Sequence, residues 1–343
     1  MGGPENSNLV SSEDSITWSQ LKEDITKYSQ KLEDVKTEAK KVVKGQDKVI
    51  ESILRGFVSN GNILLEGLPG LGKTVLCRTF AKICGLEFKR VQFTTDLLPS
   101  DIIGIQTYEK EIGFRIQKGP IFCNLLLGDE INRAPPKVQS ALLEAMGEKQ
   151  VTLGNETNKL QNPFLVLATQ NPIEQSGTFS LPEAQMDRFM FKVNVEYPDR
   201  DSEITFLENN LSSRSLDDFQ LNKILSKYEI IILQKLRKRV HIETKVKNYI
   251  LDLINATRNP QEWGIKYKEV MHMGASPRAS IALLMGAKSQ AIIKGRFYVV
   301  PKDVKDIIHE VLRHRIYLNF KAKMNNVTTD DVITEIINKV KIY

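Results

Sequence analysis

The sequence predicts an α/β core built around a parallel sheet, followed by a C-terminal unit made of helices. Two observations support this prediction. Short continuous apolar runs recur between residues 61 and 195, with helix-like segments between several of them, and this alternation is typical of parallel strands covered by helices on both faces. After residue 198 the strand-like runs mostly stop, and helical patterns continue towards the C-terminus. We therefore expect a three-layer αβα core and a separate all-α domain.

The individual elements are indicated by local patterns. The segment 73–85 ends in a glycine, and the segment 135–149 begins with prolines, which are typical ends and starts of helices. Residues 102–119 and 149–161 break the strand–helix alternation and are predicted to form hairpins around polar turns. The predicted strands are NILLEG (62–67), FKRVQF (88–93), NLLLGDE (124–130), FLVLAT (164–169) and FMFKVNV (189–195).

For the N-terminal part, the sequence predicts a polar, disordered stretch over residues 1–17 and then one long amphipathic helix from Trp18 to about Val43. Apolar residues recur there at spacings of four and three, which forms a heptad seam over three repeats. Docking of this helix on its own domain is favoured over an intermolecular coiled coil. The seam residues are Leu21, Ile25, Tyr28, Leu32, Val35, Ala39 and Val42.

Four consecutive regions follow from these patterns. Residues 1–40 form the tail and the amphipathic helix, and residues 41–198 form the α/β core with its two hairpins. Residues 199–240 form a helical linker, and residues 241–343 form the helical C-terminal domain.

Composition excludes several classes of protein. The chain has 343 residues, of which 41% are hydrophobic, and no apolar run approaches the roughly 18 residues that a membrane helix needs. The polar N-terminus lacks the apolar core of a secretory signal. The three cysteines form no C-x-x-C pair, so we expect neither disulfides nor a zinc site, and we expect a cytoplasmic protein without membrane insertion.

The net charge of +6 permits contact with nucleic acid but does not establish it. Basic residues are dispersed along the chain. The densest group, QKLRKRVH (234–241), is interpreted as the solvated face of a helix.

A glycine-rich stretch predicts a phosphate-binding loop. GLPGLGKT (67–74) matches G-x-x-x-x-G-K-[ST] and lies between a predicted strand and a predicted helix. Glycines let the backbone curl so that its N–H groups point at phosphate oxygens, and the helix adds its positive end. Lys73 is expected to reach the β- and γ-phosphates, and Thr74 to ligate Mg²⁺. The predicted nucleotide-binding residues of this loop are Gly67, Pro69, Gly70, Leu71, Gly72, Lys73, Thr74 and Val75.

Polar residues at two other strand ends complete the predicted site. Asp129 and Glu130 end an apolar strand, where Asp129 can hold Mg²⁺ and Glu130 can act as a base on the attacking water. Asn171 ends the strand FLVLATQ and is followed by Pro172. Its amide can position that water, although an ordinary Asn-Pro turn is the alternative.

Taken together, these residues resemble the MoxR family of AAA+ P-loop ATPases, in the helix-2-insert group of that superfamily. The resemblance covers most of residues 40–320 and implies an AAA+ core with a C-terminal all-α lid. The stretches that carry it are VVKGQDKVI (42–50), LLEGLPGLGKT (64–74), FTTDLLPSDIIG (93–104), GPIFCNLLLGDEINRAPPKVQSALLEAM (119–146), LATQNPIEQSGTFSLPEAQMDRF (167–189) and GASPRASIALL (274–284).

The resemblance implies further roles. Gly45 and Gln46 would line the adenine pocket, and Asn171 would be the sensor 1 residue. Arg188 would reach the nucleotide of a neighbouring subunit, with Arg133 as a rival for that role. Arg278 would be the sensor 2 arginine of the lid. The hairpins at 102–119 and 149–161 would correspond to the helix-2 insert and the pre-sensor-1 hairpin, which face the pore of the ring in relatives.

The resemblance also implies a function. We expect an ATPase that uses ATP and Mg²⁺ and assembles with itself, most simply as a hexameric ring. The nucleotide is expected between the core and the lid, and hydrolysis is expected to drive remodelling or maturation of a client protein. A separate protein with a von Willebrand A-type domain is an expected partner, including for metal or cofactor insertion. The alternative is a helicase-like nucleic-acid motor of the same helix-2-insert group.

Overall fold

The computed structural model describes residues 17–111, 113–172, 177–197, 199–204 and 216–342. The expectation of disorder at residues 1–17 therefore lies outside the described residues, except at Thr17. Thr17 is the N-cap of the first helix and accepts a hydrogen bond from the backbone N–H of Gln20, so the expectation is wrong for this residue.

The elements of the N-terminal helices and the core follow the predicted order. In sequence they are α1 (Trp18–Lys40), α2 (Asp47–Ser59), β1 (Ile63–Glu66), α3 (Lys73–Ile83), β2 (Phe88–Gln92), α4 (Pro99–Ile103), β3 (Gly104–Glu109), β4 (Gly113–Lys118), β5 (Leu125–Asp129), α5 (Pro136–Glu148), β6 (Gln150–Leu153), β7 (Glu156–Lys159), β8 (Leu165–Gln170), α6 (Glu183–Met186) and β9 (Phe191–Asn194).

The predicted parallel sheet is confirmed. Its five strands lie in the order β2-β5-β8-β1-β9, and every pairing within it is parallel. Alternate residues of each strand face opposite layers. Leu64 belongs to the apolar cluster around α5, whereas Leu65 belongs to the cluster that includes α1, α2 and α3. Both faces of the sheet are therefore covered, which explains why its strands are continuous apolar runs.

Two antiparallel hairpins lie outside this sheet. β3 pairs with β4 from Gly104↔Lys118 to Glu109↔Gly113. β6 pairs with β7 from Gln150↔Lys159 to Leu153↔Glu156. Each hairpin forms its own two-stranded sheet in the segments where the sequence predicts hairpins.

The N-terminal helix packs on its own chain. Six of its seam residues are buried, from Leu21 to Ala39, and they belong to the large apolar cluster of the core. The helix contacts α3 of the core and also the long helix Pro277–Ile293 of the C-terminal domain. The interpretation of a helix docked within the chain is therefore confirmed.

The C-terminal domain is mainly helical, as predicted, but it also contains a short antiparallel ladder. Met271 pairs with Leu318, and Met273 with Tyr317. This ladder was not expected from the sequence, because its strands have only three and two residues. The segment predicted as a linker contains α7 (Lys227–Arg239). The elements of the C-terminal domain are α8 (Thr244–Arg258), β10 (Met271–Met273), α9 (Pro277–Ile293), α10 (Pro301–Leu312), β11 (Tyr317–Leu318), α11 (Phe320–Met324) and α12 (Thr329–Lys339).

The interpretation of the basic group at 234–241 as a solvated face is wrong for Arg237. Its side chain is buried, and its Nη1 donates a hydrogen bond to the carbonyl of Ser59 across 2.9 Å. Burial also lowers the pKa of Arg237. This arginine joins α7 to the end of α2 and is not available to a partner. Among the described residues, no helix is both long enough and apolar enough to cross a membrane.

Candidate functional site

The glycine loop connects β1 to α3, and its glycines are needed for two different reasons. Gly70 and Gly72 have φ angles of +83° and +74°, and Gly72 is the N-cap of α3. Residues with a Cβ rarely adopt this left-handed conformation. Gly67 instead meets a close neighbour, since a Cβ there would lie 2.7 Å from the carbonyl oxygen of Val195.

Lys73 is the first residue of α3, and its side chain lies over the loop. Its Nζ donates to the carbonyl oxygens of Gly67, across 2.5 Å, and of Leu68, across 3.0 Å. Burial lowers the pKa of Lys73, while the carboxylates of Asp129 and Glu130 act in the opposite direction. The ammonium is thus held between the loop and the two acids that the sequence singles out.

Asp129 ends β5, and its two oxygens have different partners. Oδ1 accepts from the Thr169 hydroxyl across 2.6 Å, and Oδ2 accepts from Nη2 of Arg90 across 2.7 Å. Oδ2 also lies 3.5 Å from Oγ1 of Thr74. A hydroxyl and a carboxylate side by side are hard oxygen ligands of the kind that Mg²⁺ takes together with phosphates and water. The predicted pair Thr74 and Asp129 therefore fits this ion.

Glu130 has an unusual backbone conformation. Its φ of 56° is left-handed, which is uncommon for a residue with a Cβ and occurs often at functional sites. Its N–H donates to Oγ1 of Thr169. Its Oε2 accepts from Nε2 of Gln92 and from Nη1 of Arg133, each across 2.9 Å. These contacts hold the Glu130 carboxylate at the end of β5.

Asn171 is buried at the end of β8, and its carbonyl lies 3.4 Å from Nδ2 of Asn132. Because β5, β8 and β1 are adjacent parallel strands, their carboxyl ends meet at one edge of the sheet. The structure therefore brings together Lys73, Thr74, Asp129, Glu130 and Asn171 at this edge.

Gly45 and Gln46 approach the same edge from the start of α2. Gly45 has a φ of +73°, and Gln46 is the N-cap of α2. The Gln46 side chain is buried and donates to the carbonyl of Glu196 across 3.0 Å, just after β9. Since β9 lies beside β1, this segment neighbours the glycine loop, and its role at an adenine base stays a prediction.

Arg188 and Arg278 lie at the opposite edge of the sheet. Arg188 precedes β9, and together with Arg278 it lines a pocket that also includes Asn60 and Asn62, just before β1. The glycine loop follows β1, whose four residues span about 13 Å. Arg278 is therefore remote from the loop of its own chain. The role of Arg278 at a nucleotide stays a prediction.

The two candidates for the subunit-crossing arginine differ in position. Arg133 pairs with Glu130 at the edge that carries the glycine loop. Arg188 lies at the far edge, where its Nη1 donates to the carbonyl of Leu143 across 2.7 Å. The positions favour Arg188 for a contact with another subunit.

Several residues around the site were missed by sequence reasoning. Arg90 and Gln92 contact the two acids, and they are two apart on β2, so they share a face. The predicted strand FKRVQF contains polar residues, but this does not indicate that β2 pairs with β5. Asp187, which precedes Arg188 in the chain, was also missed.

Comparison with known proteins agrees with the geometry of the chain. Residues 62–191 match the family described as "ATPase family associated with various cellular activities (AAA)", and residues 268–336 match the AAA lid domain. The chain is 42% identical over 305 residues to Chaperone MoxR1 of Mycobacterium tuberculosis, which covers 88% of this chain and 80% of that protein. It is 31% identical over 305 residues to Protein MoxR of Methylorubrum extorquens, which covers 82% of this chain and 86% of that protein.

A solved structure is similar over nearly the whole chain. The crystal structure of a Cytophaga hutchinsonii protein with a provisional ATPase assignment matches with a TM-score of 0.88 and 45% identity, covering 95% of this chain and 98% of that one. The relatives, the two matched families and the site geometry lead to the same conclusion. The chain belongs to the MoxR family of AAA+ ATPases.

Proposed function

We propose that this protein hydrolyses ATP with Mg²⁺ in a closed ring of identical subunits, most simply a hexamer in the cytoplasm, with each nucleotide at the contact of two subunits. The observation that carries the proposal is the separation of charges across the sheet. The loop and the acids lie at one edge, and Arg188 and Arg278 lie at the other. A head-to-tail contact between copies brings the two edges together and closes into a ring.

The residues divide the work of phosphoryl transfer as follows. The loop amides and Lys73 bind the triphosphate, while Thr74 and Asp129 hold Mg²⁺, which neutralises phosphate charge when bound. Glu130 accepts the proton of the attacking water, and Asn171 orients that water.

Arg188 and Arg278 of the neighbouring subunit stabilise the charge on the transferred group, and an arginine supplied in this way is worth about 10³–10⁵ in rate. Activity then depends on assembly, because neither edge of the sheet is sufficient alone.

The β3–β4 hairpin is the proposed contact with the client protein. Tyr108 and Phe114 are 66% and 73% exposed and face each other across the hairpin, with ring centroids 5.2 Å apart. Exposed aromatic pairs of this kind are suited to grip apolar side chains of an unfolded polypeptide. Remodelling or maturation of a client, with a separate von Willebrand A-type partner, is the corresponding biological role. None of the relatives described above is named as a nucleic-acid motor.

The test of the ATPase proposal mixes two inactive variants. Glu130→Gln is expected to bind ATP but hydrolyse it very slowly, and Arg188→Ala is expected to lack the contact in trans. In a 1:1 mixture, about one ordered pair of neighbours in four joins an intact acid cluster to an intact arginine, so about a quarter of the wild-type rate returns.

The controls separate the parts of this proposal. Each variant alone at the same total concentration gives the baseline, and Arg133→Ala mixed with Glu130→Gln tests the rival arginine. A mixture no faster than the two variants apart would refute catalysis across the contact. Wild-type turnover by Glu130→Gln would refute the role of Glu130.

A further inference from the structure

A pocket of about 280 Å³ at the arginine-bearing edge of the sheet is lined by basic side chains from separate elements. Arg188 comes from the segment before β9, and Arg278 comes from the start of α9. Lys149, the residue that ends α5, lines the same pocket. The carboxylate of Asp187 and the guanidinium of Arg315 also face it.

Lys149 is held in this pocket by contacts that do not neutralise it. Its φ is 54°, a left-handed conformation at the C-cap of α5. Its Nζ donates to the carbonyl of Phe164 across 3.0 Å and lies 5.2 Å from the centroid of the Phe164 ring. Within the described parts of the chain, Lys149 forms no ion pair with a carboxylate. Burial lowers the pKa of Lys149 to about 8.

The charges of the pocket are unbalanced. Arg188 donates to the carbonyl of Leu143. The Asp187 carboxylate pairs with Arg315, whose Nε donates to Oδ1 across 2.6 Å. Nη1 of Arg278 lies 3.7 Å from Oδ2 of the same carboxylate. One carboxylate therefore faces several cations. Arg278 is 61% exposed, so water screens part of this excess, but a pocket lined mostly by cations attracts an anion.

We propose that Lys149 is a third cation of the site formed by Arg188 and Arg278, and that it donates to the terminal phosphate of the nucleoside triphosphate bound by the adjacent copy of this chain. The inference rests on the function proposed above. The transferred phosphoryl group spreads its charge over three equatorial oxygens, and three cations from three elements of one subunit can meet them. Lys149 is then a catalytic residue that acts on the neighbouring subunit.

The first experiment compares three variants of the full chain. Lys149→Met is expected to lower kcat at least about tenfold, since removal of one transition-state donor commonly costs about 10²–10³. Its affinity for ATP, measured in the Glu130→Gln background, stays near that of the parent because the P-loop of the other subunit holds the nucleotide. Lys149→Arg is expected to keep most of the rate.

Lys288→Met is the matched control. Lys288 also donates to a backbone carbonyl, that of Lys238 across 3.2 Å, and burial also lowers its pKa, but it lies outside the pocket. Wild-type turnover by Lys288→Met is expected. An equal loss in both methionine variants, or no loss in Lys149→Met, would overturn the proposal.

A second experiment separates a phosphate of the neighbour from free phosphate. Lys149→Met mixed with Glu130→Gln is expected to regain activity, because some contacts then join an intact Glu130 of one subunit to an intact Lys149 of the next. If the mixture regains nothing, while Lys149→Met weakens binding of inorganic phosphate to isolated subunits, the pocket serves a free anion and the catalytic role is overturned. If the wild-type ring itself does not hydrolyse ATP, it is the proposed function that fails.

The pH profile provides a readout that a structural role would not change. Above about pH 7.5 the terminal phosphate is already ionised, so loss of the Lys149 charge is expected to lower kcat as the pH rises. The other charged groups that line the pocket are Asp187, Arg188, Arg278 and Arg315. Lys149→Arg should abolish the decline, and a decline that persists in this variant would contradict the proposal.

Discussion

The hydroxyl of Ser276 donates a hydrogen bond to Oδ2 of Asp187 across 2.8 Å. Ser276 is the N-cap of α9, the helix that carries Arg278, and Asp187 directly precedes Arg188. The same carboxylate accepts from Arg315 through its other oxygen. One acidic side chain therefore connects the segment that carries Arg188 to the helix that carries Arg278, and it fixes their relative position.

Asp187→Asn is expected to destabilise the subunit by about 3 kcal/mol, because it leaves the buried guanidinium of Arg315 without a counter-charge. The Arg315 side chain is only 3% exposed and also donates to several backbone carbonyls, including that of Phe189. Asparagine can still accept from Ser276, so the variant isolates the effect of the charge. Urea unfolding of the isolated subunit measures the change.

Asp330→Asn is the control for this prediction. Asp330 pairs with Arg313 across 3.0 Å, but its side chain is 40% exposed, so its loss should cost no more than about 1 kcal/mol. Equal destabilisation by the two variants would show that burial of the Asp187–Arg315 pair is not what matters.

The sheet and the phosphate loop could be predicted because their causes are local. Strands buried on both faces must be apolar throughout, and this is visible in NLLLGDE and FLVLAT. The loop requires left-handed backbone at Gly70 and Gly72, and only glycine tolerates that readily. In both cases the physical demand falls on consecutive residues and can be read from them.

The rest of the site depends on pairings between distant segments. Arg90 reaches Asp129 only because β2 lies beside β5, with Gln92 in register with Asp129. A motif identified Arg278, but its position relative to the P-loop follows from how the C-terminal domain packs. For the same reason Arg237, in a strongly basic stretch, could not be recognised as buried.

Gln92→Ala is expected to lower kcat about tenfold without changing the affinity for ATP. Gln92 holds Oε2 of Glu130 across 2.9 Å, and a general base contributes only when it is oriented towards the water. The rate is measured by phosphate release, and the affinity by binding of a fluorescent ATP analogue.

A double-mutant cycle checks this role of Gln92. In the Glu130→Gln background the base is already absent, so Gln92→Ala should have no further effect on turnover. Independent, multiplicative losses in the double variant would mean that Gln92 acts on something other than Glu130.

Replacement of both hairpin aromatics, Tyr108→Ala with Phe114→Ala, is expected to leave the basal ATPase rate and the stability nearly unchanged, because both rings are largely exposed. Capture of a permanently unfolded test polypeptide by the Glu130→Gln ring should fall severalfold. The measurement is co-sedimentation of the labelled polypeptide with the ring in ATP.

Phe320→Ala is a suitable control for the hairpin, since Phe320 is 75% exposed but lies in the C-terminal domain. It should leave capture unchanged. If Phe320→Ala reduces capture as much as the hairpin variant does, general surface hydrophobicity is responsible and the hairpin has no special role.

Lys149→Met is expected to make the isolated subunit more stable at pH 7, although it makes the ring less active. The folded pKa of Lys149 is about 8, below its ordinary value of 10.5. Between these values the unfolded chain binds more protons than the folded one, so this lysine makes stability rise with pH from about 8 to 10.5. Below pH 8 the folded state carries the full cost of the buried charge, on the order of 1–3 kcal/mol.

Urea unfolding at pH 7 and pH 10 should show a gain in stability for Lys149→Met at the lower pH that largely disappears at the higher one. Lys149→Arg should show no such gain, because its charge persists. If Lys149→Met is less stable than wild type at pH 7, the charge of Lys149 is already compensated within the subunit.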